Sequence, residues 1–368
     1  MKKVFFLFFI SCNNSNKNCY CGLRVNNFIN DSGIVVTKNV TSYKTDIFNV
    51  ISNKFSMSLL SNVDIIENEG KSYFSFISKM GNAVFVNTED SLNIVHNFLH
   101  NALTNKTFFF EKFIDNSLYL VDQRNNKYWC FTFDNHLKIK SIDSLNLNSI
   151  FNFRNYFLGF NANPQRFTFQ FPYLFLRYGT NNSRNYFIDE FAFLKINIQT
   201  KKVEKIIKYP ECFYSGNTYM NDGYIATDNE NNYYALFNLH DTLMKFDAYN
   251  RTKTTSKIIN PYHSTFIEFD KSKNENLAYT RKFQLLNEEN THFFMIKNKY
   301  LISIKRLKKI AIKDTNQFVY FLYNKNLKQL FSDTLSTISA SYIIPNSKGF
   351  LVRDYSFKTG TYYEFDEK

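Results

Sequence analysis

Tyr128-Trp129-Cys130-Phe131-Thr132-Phe133 runs straight into Asp134. Aromatic and β-branched side chains in such a run suit a pleated, half-buried surface, and an Asx residue can bond its own backbone two positions on, ending the strand and opening a turn. The same phrase recurs as Ala83-Val-Phe-Val before Asn87, Phe191-Ala-Phe-Leu-Lys-Ile before Asn197, and Leu243-Met-Lys-Phe before Asp247. It appears twice more, as Phe318-Val-Tyr-Phe-Leu-Tyr before Asn324 and Tyr362-Tyr-Glu-Phe before Asp366. Successive endpoints are separated by 47, 63, 50, 77 and 42 residues, near the period of one propeller blade once loop insertions are allowed.

Each copy expands into four antiparallel strands. In the second, Phe108 to Ile114, Leu118 to Val121, Tyr128 to Phe133 and Lys138 to Ile142 are the strands, with Asp115-Asn116, 124–127 and 134–136 as turns. Helical periodicity is hardly visible after residue 60. The sixth copy ends too early to hold an outermost strand, and an unpaired edge in a closed ring invites aggregation. The unused apolar segments Ile34-Val-Val and Phe55 to Leu60 are the candidates to pair with Thr361 to Phe365. The fold expected is therefore all-β: a six-bladed β-propeller of four-stranded antiparallel blades, closed by an N-terminal strand that completes the last blade. The longest interval predicts an insertion around 260–290.

The chain has 368 residues, 44% of them hydrophobic, with 42 Phe, 25 Tyr, 5 Pro and 10 Gly, and no Pro-, Gly- or Ser-rich linker divides it. A net charge of +13 raises the question of nucleic acid, but the basic residues are scattered among carboxylates apart from Lys201-Lys202 and Lys305-Arg306 with Lys308-Lys309. No nucleic-acid-binding motif accompanies them, and none is expected as a partner.

Met1-Lys-Lys, the apolar run Val4 to Ile10, and Ser11-Cys12 form the three parts of a secretory signal. Seven apolar residues are too few to span a bilayer. Cysteine after the small residue resembles the lipobox of bacterial lipoproteins, which implies that Cys12 carries the lipid and is the first mature residue. Several acyl chains, at roughly 0.8 kcal/mol per buried methylene, hold a soluble domain at a membrane. The division expected is 1–11 signal peptide, 12–27 tether and 28–368 propeller. Asn13-Asn-Ser-Asn-Lys17 has none of the acidic residues that mark surface export in the lipoproteins it resembles, which implies the periplasmic face of the outer membrane.

Lipobox, Asn- and Lys-rich aromatic strands and six blades together resemble the uncharacterised β-propeller lipoproteins of Bacteroidota, a group with a TolB-like fold. That resemblance extends over essentially the whole chain and carries no catalytic string. Bacteroidota attach O-glycans at Asp-Ser/Thr followed by an apolar residue, which implies Ser91, Ser144, Thr242 and Thr334 as acceptors; a turn residue opening a strand explains the same tripeptides.

No chemistry announces itself. There is no GxSxG elbow, no Gly-rich phosphate loop, and no room for an appended hydrolase domain. His96 and His100 have the spacing of a helical zinc pair but no HExxH glutamate, and their segment reads as a strand. His136, His240, His263 and His292 lie beside turn residues and are expected in solvent. Cys130 alternates with Trp129 and Phe131 as a buried thiol. A binding role needs only loop residues that can stack on sugars or anchor a protein, and Tyr178, Tyr214, Tyr219 and Tyr262 are the candidates. The reading expected is an envelope binding module: monomeric, without a cofactor, and engaging a protein, glycan or peptide. The alternative is hydrolysis of a lactone or phosphoester by Ca²⁺ held at the channel mouth by Glu67, Glu111, Asp189 and Asp228, a hard cation with oxygen ligands.

Overall fold

The computed structural model describes residues 23–29, 34–42, 63–78, 81–89, 93–99, 109–114, 116–122, 125–151, 156–157, 167–177, 179–180, 191–209, 223–247, 249, 251–258, 277–308, 316–335, 343–353 and 359–367. Six sheets form a ring of blades. Blade 1 is β3 (Asp64–Asn68), β4 (Lys71–Ile77), β5 (Asn82–Asn87) and β6 (Ile94–Phe98). Blade 2 is β7 (Phe109–Ile114), β8 (Ser117–Asp122), β9 (Lys127–Phe133) and β10 (Ile139–Asn146). Blade 3 is β12 (Phe167–Gln170), β13 (Tyr173–Arg177), β15 (Phe191–Asn197) and β16 (Val203–Lys208), beside a short ladder of β11 (Tyr156–Phe157) with β14 (Gly179–Thr180). Blade 4 is β17 (Gly223–Thr227), β18 (Tyr233–Phe237), β19 (Thr242–Phe246) and β20 (Thr252–Lys257). Blade 5 is β21 (Glu289–Ile296), β22 (Tyr300–Arg306), β23 (Phe318–Asn324) and β24 (Gln329–Leu335).

Blade 6 runs β25 (Ile343–Pro345), β26 (Gly349–Arg353) and β27 (Thr359–Glu367), and its fourth strand comes from the other end of the chain. β2 (Ile34–Ser42) pairs with β27 antiparallel over nine residues, from Ile34 opposite Glu367 to Ser42 opposite Thr359. The expected closure by Ile34-Val-Val is what the ring uses. Ile34 and Val36 point into the core between blades 5 and 6, beside Tyr320, Phe350 and Phe365. A further strand, β1 (Leu23–Ile29), pairs outside β2. It takes in residues 23–27, which composition alone assigned to the tether.

The six Asx-ended phrases are the third strands of the six blades. Their turn chemistry is the one expected: Asp134 Oδ1 accepts from the amides of His136 and Lys138, Asp247 Oδ1 from Tyr249 and Arg251, and Asn324 Oδ1 from Asn326 and Lys328. The apolar residues sort into six clusters, one between each pair of neighbouring blades. Most strands are buried on both faces, so the sequence of a third strand such as Phe318–Asn324 is apolar throughout rather than alternating.

Helix α1 (Leu277–Leu286) lies inside the expected 260–290 insertion, in a part of the chain where helical periodicity is hardly visible. Its Thr, Arg, Lys and Gln leave only a weak apolar stripe. Phe283 alone of its described side chains is buried, packing into the cluster between blades 3 and 4.

Candidate functional site

Strand order makes the two ends of the ring unlike. In every blade the chain enters the inner strand from one end, turns tightly at the other, and returns. First-to-second and third-to-outer turns, at that other end, span only two to six residues. Second-to-third connections and the crossings between blades share the first end, and they include 147–166, 178–190, 209–222 and 258–288. The tight end is a set of Asx turns with little freedom; the loop-bearing end carries the variable chain, where binding and catalytic residues concentrate on rigid scaffolds. Tyr178, Tyr214, Tyr219 and Tyr262 belong to three of those connections and lie outside the described residues, as do Asp189, Ser91 and Cys12.

Along the axis, Asp64 of β3 reaches the neighbouring inner strand, where its Oδ2 accepts the Phe113 amide at 2.9 Å. That amide sits on the edge of β7 away from β8, and the carboxylate supplies the partner that a sheet neighbour would otherwise give. Burial pushes the Asp64 carboxyl up to about 6, although the Phe113 amide and the Lys112 ammonium both pull it back. Burial lowers the Lys112 ammonium in turn, opposed by Asp64. This pair was not singled out from sequence, because its members stand 48 positions apart on separate blades.

At the loop-bearing end, blades 4 and 5 share a buried charge network. Lys305, 2% exposed, contacts Asp241 and, at 3.0 Å, Glu288. Arg306 contacts Glu289 at 3.2 Å and donates to the Asn287 carbonyl. Asn290 Nδ2 donates to the carbonyls of Phe237 and His240. Lys305-Arg306, a local run of basic residues in the sequence, is buried against carboxylates. Three acids and two cations here fasten the strand after α1 to the preceding blade, and buried charges of this kind need such partners.

His292 departs from expectation. It is buried on β21, its Nδ1 3.1 Å from Thr291 Oγ1, and burial pushes its imidazole down to about 4. His96 is exposed on strand β6, and His100 lies outside the described residues. Cys130 is half-buried, and its thiol is raised by burial.

Of the four proposed calcium donors, only Glu67 and Asp228 have described side chains, and these two lie apart. Glu67 is exposed at the end of β3, accepting from Ser72 Oγ at 2.6 Å, on blade 1. Asp228 lies across the ring on blade 4, fully buried at the tight end. Its Oδ1 accepts from the amides of Glu230 and Asn232, and its Oδ2 from Asn232 Nδ2 and Tyr234 Oη, all at 2.9 Å. Burial alone would raise that carboxyl; the donors outweigh it and hold it below the usual range. Glu111 stands on β7 opposite Leu120, its side chain outside the described residues. Among the described residues no three His, Cys, Asp or Glu side chains gather to hold a metal. Of the implied glycan acceptors, Ser144 and Thr334 are exposed on the outer strands β10 and β24, whereas Thr242 is half-buried at the start of β19.

No family model matches the chain, and no curated protein matches it. Among solved structures it is similar to a luciferin-regenerating enzyme, at 10% identity and a TM-score of 0.40 over 83% of this chain and 90% of that one. It is likewise similar to the GH74 xyloglucanase of Xanthomonas campestris, at 9% identity and 0.39, over 82% of this chain and 43% of that one. A member of the DUF4221 family from Bacteroides vulgatus matches at 13% identity with a TM-score of 0.61, over 84% of this chain and 93% of that one. The chain is a six-bladed β-propeller that shares its fold with this Bacteroides protein from a family of unknown function.

Proposed function

We propose that the protein is a lipid-anchored propeller of the cell envelope that acts by binding, through the end of the ring that carries the long connections. The observation behind this reading is the contrast between the ends: turns of two to six residues at one, connections of up to 31 residues at the other. Tyr178, Tyr214, Tyr219 and Tyr262 fall in those connections, and aromatic side chains supply large contact area at low entropic cost. Cys12 is the anchor, the outer membrane the site and its periplasmic face the orientation; the ligand is an envelope protein, glycan or peptide.

Two measurements test this. A Cys12→Ala variant of the full chain should lose incorporated lipid and leave the membrane fraction. Binding of envelope glycans, peptides and solubilised membrane proteins is then compared between the full chain and a variant with all four tyrosines changed to Ala. Truncating several aromatic anchors costs at least about 2 kcal/mol each at a hot spot, so a loss of roughly tenfold or more is expected. Tyr249, 78% exposed at the tight end, is the control, and its change to Ala should leave binding intact. Equal binding by the tyrosine variant sinks the assignment of the face.

A further inference from the structure

Asp64 and Lys112 stand on β3 and β7, neighbouring first strands beside the axis of the ring. The bond from the Phe113 amide to Asp64 Oδ2, at 2.9 Å, fixes how close the two residues are. Lys112 is the residue before Phe113, so its Cα lies within about 5 Å of that oxygen. A flexible four-carbon stem is long enough to lay the ammonium on the carboxylate. It does not do so. Among the described residues Lys112 Nζ makes no ion-pair contact and no hydrogen bond, and the Asp64 carboxylate accepts only the Phe113 amide, which leaves Oδ1 open.

Both side chains are half-buried, yet the protein around them raises the carboxyl and lowers the ammonium through burial. A group on the outer surface has the exposure without the burial, and a core group the burial without the exposure. The combination puts the pair on the wall of an enclosed space beside the axis. There an ammonium with three donors and a carboxylate with an open oxygen keep opposite charges close together without contact. Buried charges are costly unless each has a partner, and here the fold leaves the partner to come from outside the chain. A lone anion drawn to Lys112 is repelled by Asp64, and a lone cation meets the reverse. A molecule that carries both charges satisfies both.

We infer that the axial space beside Asp64 and Lys112 binds a small zwitterion, a free α-amino acid, whose ammonium donates to Asp64 Oδ1 and whose carboxylate accepts from Lys112 Nζ. The α-carbon holds its two charged groups at a short fixed separation, with signs opposite to those the strands present. Each contact is then a charge-assisted hydrogen bond, and the complex is neutral. This site lies apart from the loop tyrosines and needs no lipid anchor, so it stands or falls separately from the binding face proposed above.

The test is calorimetric titration of the purified full chain at neutral pH with each of the twenty common L-amino acids, alongside thermal unfolding in their presence. At least one should bind at one site per chain and raise the melting temperature. Asp64→Asn and Lys112→Met should each weaken that binding at least about tenfold, because removing one side of a buried, hydrogen-bonded charge pair costs that much or more. Asp64→Asn removes a buried charge and keeps an acceptor for the Phe113 amide, so its loss of affinity cannot come from unfolding. The α-hydroxy acid and the simple amine that match the best amino acid, lactate and ethylamine in the case of alanine, each carry half of the pattern and should bind at least about tenfold more weakly. No heat and no rise in melting temperature with any of the twenty overturns the site, as does binding that both variants retain. Equal binding of the hydroxy acid or of the amine overturns the zwitterion.

Discussion

The Asp64 carboxylate of blade 1 accepts the Phe113 amide of blade 2 at 2.9 Å, joining two inner strands that share no sheet. The bond is made by a group that burial discourages from ionising: its folded pKa is about 6 against an ordinary 3.8. With the folded value above the unfolded one, the folded state takes up the proton first, and stability falls as pH rises from about 4 to 6. Above 6 the cost of the buried charge is complete. Asp64→Asn keeps an acceptor for the Phe113 amide and removes the charge, while losing its attraction for Lys112. It should raise stability by about 1–2 kcal/mol at pH 7.5 and by much less at pH 4.5, read from thermal unfolding at the two pH values. A gain that does not depend on pH would show that the carboxylate is not what titrates.

Asp228 has the opposite sign. Its pKa is held below the usual range, so its contribution is present above about pH 4 and is lost as the pH falls through the folded value. Asp228→Ala leaves two amides, one side-chain amide and the Tyr234 hydroxyl without their acceptor, and should cost on the order of 3 kcal/mol in denaturant unfolding at pH 7. Because this carboxylate is already saturated by those four donors, excess EDTA should leave the melting temperature within about 1 °C; a larger fall would point to a metal bound elsewhere.

Ring closure should depend on packing more than on charge. Val36, in the core between blades 5 and 6, should cost about 2 kcal/mol on change to Ala. Lys38, two residues on, meets Asp333 of blade 5 at 2.8 Å, but both side chains are partly in water. Its change to Ala should cost less than about 1 kcal/mol, and that difference should shrink in 1 M salt. Denaturation curves of the two variants at low and high salt make the comparison.

Gly349 allows β26 to lie against β27. A Cβ there would sit 1.8 Å from the Tyr363 carbonyl oxygen, a backbone atom that cannot swing away. Gly349→Ala should destabilise by about 3 kcal/mol or more and should raise amide exchange in β26 and β27 before the other blades.

What could be read without coordinates was whatever local chemistry decides. Asp134, Asp247 and Asn324 bond to amides two and four residues on, so their role is written in adjacent letters. Ile34 and Val36 could be assigned by elimination, as apolar residues left over beside a blade one strand short. β1 could not, because Leu-Arg-Val-Asn-Asn-Phe-Ile is an edge strand whose alternation is broken by two asparagines. Lys305, His292 and Asp64 were misread or passed over for one reason: each owes its state to groups on a neighbouring blade or a distant loop, and single-sequence patterns do not record those neighbours. The tyrosines assigned to the binding face lie in three of the longer connections between strands, a position that loop length reveals.

Ile34 and Glu367 are partners although 333 positions separate them, whereas each remaining strand finds its sheet neighbours within its own blade. Synthesis delivers the chain from its N-terminus, so five blades can assemble while the edge of β2 away from β1 still has no partner. Pairings this distant are the slowest to form, and an apolar strand left waiting is open to wrong partners. The nine residues of β27 therefore act as the release signal for β2: until they emerge, the chain carries a strand with one open edge, and a stop before them leaves the N-terminal hairpin as unfinished as the sixth blade.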